Sequence, residues 1–172
     1  MLTTLLDSFV LTAPELAQLI SDLESTTCEP WHIRRYLIDV KPPIDGAFGR
    51  TRLYTADDLC LVRLAVRLER EGLSAWVVRA VLANHADEIV RAWRSGTASV
   101  LAVHGVRGKV IAEADSTRVP TGTTVVPLQP IRRDVSTAIA RIRRHNPTIQ
   151  LFNRRLSVRD VLSEASETRQ TW

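Results

Sequence analysis

The spacing of apolar residues along the chain is mostly helical up to residue 95 and turns to a strand type after Gly96. Leu16, Leu19, Ile20 and Leu23 share one helical face behind Thr12, a capping residue, and Pro14, which suits a first turn. Glu24-Ser25-Thr26-Thr27-Cys28 reads as a turn. Thr27 is then the expected N-cap of a second helix, with Pro30 in its first turn and residues 31–38 along it. Ile33 and Leu37 share its inner face with Trp31 nearby, which leaves His32, Arg34, Arg35 and Tyr36 partly outward. Pro42-Pro43 stops this helix. Residues 44–54 read as a Gly-containing hairpin, with Arg50 and Arg52 two apart on one side of a strand and Tyr54 at its end. Thr55 caps the next helix, and Asp57 and Asp58 suit its N-terminal dipole. Leu59, Leu61, Val62, Leu64, Ala65, Val66 and Leu68 make that helix apolar on more than one face, as a central core helix should be. Gly72 ends it. Ser74 opens another, striped by Val78, Leu82, His85, Ile89 and Trp93, which Ser95-Gly96 interrupts. Residues 1–10 are apolar and short, either a strand or a helical arm.

Beyond Gly96, residues 100–103 and 110–114 flank His104-Gly105-Val106-Arg107-Gly108 as a hairpin; residues 123–128 form another strand, after a polar loop at 115–122. Pro130 opens an amphipathic helix. Ile131, Val135, Ala138, Ile139 and Ile142 lie on one face, with Arg132, Arg133, Arg141, Arg143 and Arg144 largely off it. Asn146-Pro147 ends this helix, residues 148–152 read as a strand, and Ser157 caps a last helix through Val161 and Leu162. The polar tail from Ser163 is expected to fray. The expected fold class is α+β in two modules. Residues 1–95 form a winged helix-turn-helix, and residues 96–172 a small α+β accessory module for dimerisation, a partner or a ligand.

Charge sharpens this picture. The net charge of +4 on 172 residues says little alone, but no Lys or Arg precedes residue 28, while Arg34, Arg35, Lys41, Arg50 and Arg52 crowd the proposed reading head. A second cluster comprises Arg132, Arg133, Arg141, Arg143, Arg144, Arg154, Arg155 and Arg159. The preference for Arg over Lys fits bidentate phosphate and guanine contacts, and equally a G+C-rich genome. A short helix with an outward basic cluster, followed by a Gly/Arg hairpin, is how a winged helix-turn-helix places one helix in the major groove and a basic loop on the backbone. Taken singly, the helix face also reads as a solvated basic face and the hairpin as an ordinary surface hairpin.

Other chemistries find little support. Cys28 and Cys60 are far apart, with no C-x-x-C and no Cys/His set nearby, so reduced, partly buried thiols in a cytoplasmic protein are expected. His32, His85, His104 and His145 sit in unrelated contexts; His85 reads as a packed side chain before a ligand. Gly105 and Gly108 lack the Gly-Lys-Ser/Thr and following helix of a phosphate loop. No nucleophile motif and no metal-ligand spacing occurs, so no catalytic residues, no metal and no cofactor are expected. Neither a signal peptide nor a membrane span is indicated, since no apolar run approaches the 18 residues a span needs.

Three motifs, in order and with the right gaps, carry a family resemblance. Ile33-Arg34-Arg35-Tyr36, then Arg52-Leu53-Tyr54 with Thr55-Ala56-Asp57-Asp58-Leu59, then Leu68-Glu69-Arg70-Glu71-Gly72-Leu73-Ser74 resemble the MerR family of bacterial regulators over about residues 11–93. The family pattern has Leu-Arg-Tyr-Tyr on the recognition helix, Gly-Tyr-Arg-x-Tyr in the wing and Gly-Phe-Ser at the later helix start. The resemblance implies that Arg34 contacts phosphate, Tyr36 the backbone, and Arg52 the wing-side phosphates. Here the first turn is longer, Arg35 replaces the first Tyr, and Arg50-Thr51 stands for Gly-Tyr. Family members dimerise through a long helix after this domain, whereas Ser95-Gly96 interrupts early, so dimerisation would use another element. A family metal sensor would carry Cys in its C-terminal half, and this chain has none after Cys60.

The function expected on these grounds is a DNA-binding transcriptional regulator, a homodimer on an inverted repeat of double-stranded DNA in the nucleoid, using His32, Arg34, Arg35, Tyr36, Arg50, Arg52 and Tyr54. The alternative is a protein-interaction module, such as a helix-turn-helix antitoxin or a phage-type accessory factor; residues 153–162 faintly resemble the C-terminal element of some such antitoxins.

Overall fold

The helices begin where a side chain can satisfy the unpaired amides of a first turn. The Glu15 carboxylate accepts from the Thr12 amide (2.8 Å), and the Asp58 carboxylate accepts from the Thr55 amide (2.7 Å) while the Asp58 amide donates to Thr55 Oγ1 (3.3 Å). Ser74 receives the Val77 amide in the same way. The computed structural model describes residues 10–40, 44–45, 52–145, 148–151 and 154–157. They form β1 (Val10–Leu11), α1 (Ala13–Glu24), α2 (Pro30–Leu37), β2 (Ile44–Asp45), β3 (Arg52–Thr55), α3 (Ala56–Arg70), α4 (Ala75–Ser95), β4 (Ser99–His104), β5 (Arg107–Ala112), a 3-10 helix (Glu113–Arg118), β6 (Thr124–Pro127), α5 (Leu128–His145), β7 (Thr148–Leu151) and β8 (Arg154–Ser157). The class is α+β, as expected. All the described strand pairs are antiparallel: β3 lies between β1 and β2, β4 between β5 and β6, and β7 pairs with β8.

Burying the multi-faced α3 decides the architecture. Leu59, Leu61, Val62, Leu64, Ala65 and Leu68 form one continuous core with Leu16 and Ile20 of α1, Ile33 and Leu37 of α2, Val78, Leu82, Ile89 and Trp93 of α4, Leu101 of β4, and Ile131, Val135 and Ile139 of α5. α4 ends at Ser95 with Gly96 capping it at φ 75°, and the elements on either side share this core. An ionic tie crosses the same ground. Arg63 on α3, only 2% exposed, donates to the Glu24 carboxylate on α1, to Asp134 on α5 (2.9 Å) and to the Ile131 carbonyl (3.3 Å). Arg67 (3.2 Å) and Arg70 (2.8 Å) complete the surroundings of Glu24.

One glycine is fixed by close approach. A Cβ on Gly108 would sit 3.0 Å from Val81 and 3.1 Å from the His85 ring, so β5 lies against α4 only because no side chain is there.

Several boundaries differ from expectation. The N-cap of α2 is Glu29, not Thr27: the His32 ring accepts the Glu29 amide, as Thr27 is too far upstream to do. α5 starts at Leu128, two residues before Pro130, because proline is tolerated throughout a first helical turn and Leu128 is fully buried. The stretch expected as a polar loop begins as the 3-10 helix. Ser157, expected to cap a last helix, is the last rung of β8, opposite Thr148; the strand at 148–151 needs a partner for its backbone groups, and 154–157 supplies it. The arm at residues 1–9, Pro42-Pro43, the hairpin tip with Arg50, Asn146-Pro147, the last helix and the tail lie outside the described residues.

Candidate nucleic-acid interface

The candidate face starts at the turn between α1 and α2. Ser25 takes a left-handed conformation (φ 49°) to end α1, and the Cys28 amide donates to Ser21 Oγ (2.9 Å), fastening the far side of the turn to the helix it left. α2 then opens with the Glu29 amide donating to His32 Nδ1 (3.0 Å), so that nitrogen is an acceptor and the ring proton sits on Nε2. The His32 ring stacks on Trp31 with centroids 3.7 Å apart.

α2 sorts its residues by helical spacing. Ile33, Tyr36 and Leu37 are buried, and Arg34 is exposed. Arg35 is half-buried, paired with Glu69 on α3 (2.9 Å), and its guanidinium lies 5.8 Å from the Trp31 ring centre and 5.6 Å from that of Tyr36. Tyr36 is a correction: expected outward, it is 2% exposed, and its hydroxyl donates to the other Glu69 oxygen (2.6 Å). Position 36 is three residues from Ile33 and so joins the inner stripe. Tyr54 is a second correction, 1% exposed within the core. Neither tyrosine presents its ring to the surface.

Of the residues expected to form a wing, only part lies among the described residues. Arg52 lies in β3 opposite Asp45 of β2, and Arg50 lies outside the described residues. Of the basic and polar side chains expected on the face, Arg34 is the one cation whose side chain is described as exposed and which makes no ion pair among the described residues. The second basic cluster is partly spent on structure. Arg132 donates to the Trp93 carbonyl and Arg133 pairs with Asp134 (3.7 Å).

Sequence reasoning missed the apolar part of this surface. Trp31 is 54% exposed and Ile38 61%, and Trp76, at the start of α4, is 67% exposed. The Arg79–Asp39 ion pair joins α4 to the residues just after α2. The spacing of Trp31, Arg35 and Ile38, four and then three, could have revealed the outer stripe, because the same helix carries Ile33, Tyr36 and Leu37 at complementary positions.

Burial raises the Tyr36 phenol well above its ordinary value of 10, helped by the Glu69 hydrogen bond and charge. A raised folded value means stability that is complete below pH 10 and lost above it, where the unfolded phenol ionises and the folded one does not. Tyr36→Phe is expected to cost about 1–2 kcal/mol at neutral pH and to flatten the fall in stability above pH 10. Urea titrations of both proteins at pH 7, 10 and 11 check this; parallel pH dependences would refute it.

The thiols are equally muted. Burial, then the Glu29 charge, pushes Cys28 up to about 11, and burial above all raises Cys60 further. Neither is a thiolate at neutral pH. His85 is packed beside Glu88 (3.3 Å), and among the described residues no group of three His, Cys, Asp or Glu could hold a metal ion. No described helix is long and apolar enough to cross a membrane.

Set against models of known families and against curated proteins, the chain matches none.

Proposed function

We propose that this protein is a sequence-specific DNA-binding transcriptional regulator in a bacterial cytoplasm, with α1 and α2 as the helix-turn-helix and β2–β3 as the wing of a MerR-like head. The observation that carries this reading is Arg34: an exposed cation without an ion-pair partner among the described residues, on a short helix that follows a tight turn. Beside it, Glu69 fixes Arg35 and Tyr36, so the helix is held in one orientation before any ligand arrives. One helix of this length reads too few base pairs to address a genome, so the working unit is a homodimer on an inverted repeat. No catalytic step is assigned to it.

The test is a salt-series titration on the protein's own upstream DNA and on an unrelated duplex, with the mass in solution measured alongside. Arg34→Ala and Arg52→Ala are each expected to weaken binding on all sequences and to lower the salt slope by about 1. Unchanged affinity and slope in both variants would remove this pose.

The exposed Trp31, Ile38 and Trp76 favour a second reading, a head that docks on a protein. A stoichiometric complex with the product of a neighbouring gene, shielding these tryptophans from a fluorescence quencher, would support it.

A further inference from the structure

The β5-β4-β6 sheet has an outer face whose chemistry the DNA reading does not use. Residues directly opposite in an antiparallel pair share a face, so the register of Ala102 with Lys109 and His104 with Arg107 sets these four side chains together. Gly108, between the two cations, lies on the opposite face against Val81 and His85 of α4. The Arg107-Gly108-Lys109 run therefore packs inward without a side chain and presents two cations outward. The 3-10 helix and the following Val119 and Pro120 border this face and outline a cleft of about 570 Å3 that is open to solvent. Arg118 lines it from that border, largely exposed, and His104 contacts Thr123 Oγ1 (3.3 Å).

The lining holds Arg107, Lys109 and Arg118 against one carboxylate, Asp115, which meets Arg118 in a long, exposed pair (3.5 Å). Such a pair holds its cation weakly. Arg107 and Lys109 make no ion pair among the described residues. Ala102, Ile111, Val119 and Pro120 supply an apolar floor and wall. The volume falls in the range of small-molecule sites and exceeds what a bare inorganic anion fills.

We propose that this cleft is a binding site for a small organic phosphate, a phosphomonoester whose dianion is held by Arg107, Lys109 and Arg118 while its apolar body lies on Ala102 and Ile111. Three cations match a dianion better than a monocarboxylate, and guanidinium forks match phosphate oxygens. The site stands apart from α2, so it does not depend on the DNA reading.

The experiment is an amide NMR titration of the whole protein with phenyl phosphate as the probe. Inorganic phosphate and phenol each carry one half of its chemistry. Phenyl phosphate is expected to shift the amides of Gly108, Lys109, Arg118 and Thr123 saturably, with an affinity at least ten-fold above that of either half. The double variant Arg107→Gln/Lys109→Gln, at two exposed positions, should lose ten-fold or more, and Arg34→Ala should lose nothing. Equal affinity for inorganic phosphate, no shift at millimolar probe, or undiminished binding by the double variant would each overturn the proposal. So would duplex DNA moving these amides where phenyl phosphate does not, which would make the cleft a surface for a polyphosphate backbone. The comparison of probes on the unaltered protein decides the matter even if the double variant does not fold.

Discussion

Glu24→Ala is expected to destabilise the protein by about 3–5 kcal/mol. The Glu24 side chain is 3% exposed, and Arg63, Arg67 and Arg70 all converge on it. Removing it leaves Arg63, equally buried, with only the partly exposed Asp134 and the Ile131 carbonyl. A guanidinium out of water with its main counter-charge gone is among the most expensive arrangements a core can hold. The ion pair itself need not be strongly stabilising, because both charges lost their hydration to form it. A matched apolar replacement of both partners separates these effects. Glu24→Met with Arg63→Met should be far less destabilised than Glu24→Ala, since an apolar pair of similar volume carries no desolvation cost. Urea unfolding of the single and double variants measures both quantities; a cost below 1 kcal/mol for Glu24→Ala would mean that water reaches Arg63 in the folded state.

Trp93→Ala should be comparably severe, about 3–5 kcal/mol. Trp93 is 1% exposed in the continuous core, its indole N–H donates to Asp57 (3.3 Å) near the start of α3, and its carbonyl accepts from Arg132 on α5. One residue thus ties the end of α4 to two other helices. Truncation to Ala opens a cavity and removes the indole donor from Asp57, whose carboxylate keeps its pairing with Arg94. Trp93→Phe keeps most of the volume and loses only the indole hydrogen bond, so it should cost about 1–2 kcal/mol. The spectrum offers a second readout. Trp31 and Trp76 are exposed, so among the described tryptophans Trp93 is the one that contributes blue-shifted emission, and that contribution should be lost in either variant. If Ala and Phe cost the same, packing would not be what Trp93 contributes.

Much of the fold was legible because its signals are local. Thr55 with Asp58, Ser74 and Gly96 marked helix ends through capping chemistry that a few adjacent residues complete, and the hairpin of β4 and β5 showed as two apolar runs on either side of a short Gly-containing segment. The failures share a different cause. Tyr36 has a polar hydroxyl that argues for the surface, and only Glu69, 33 residues away, makes its burial favourable. Arg63 and Glu24 lie 39 residues apart, and each alone reads as a solvated charge; a pairing set by tertiary packing leaves no periodic trace. On the candidate face Arg34 lies exposed, as the helix pattern required. What was not legible is that Arg35 is held by Glu69, or that exposed Trp31 and Ile38 share α2's outer stripe.

The core that α3 shares with both ends of the chain also governs how the molecule can be made. A growing chain that has emerged only as far as Gly96 holds α1 to α4, yet the apolar surface that Ile131, Val135 and Ile139 cover is still bare, and Arg63 lacks Asp134. No length short of α5 therefore completes the core. The nascent head waits, partly unsealed and prone to sticking, until about 40 more residues have been added, at a typical rate of about 5–20 residues per second.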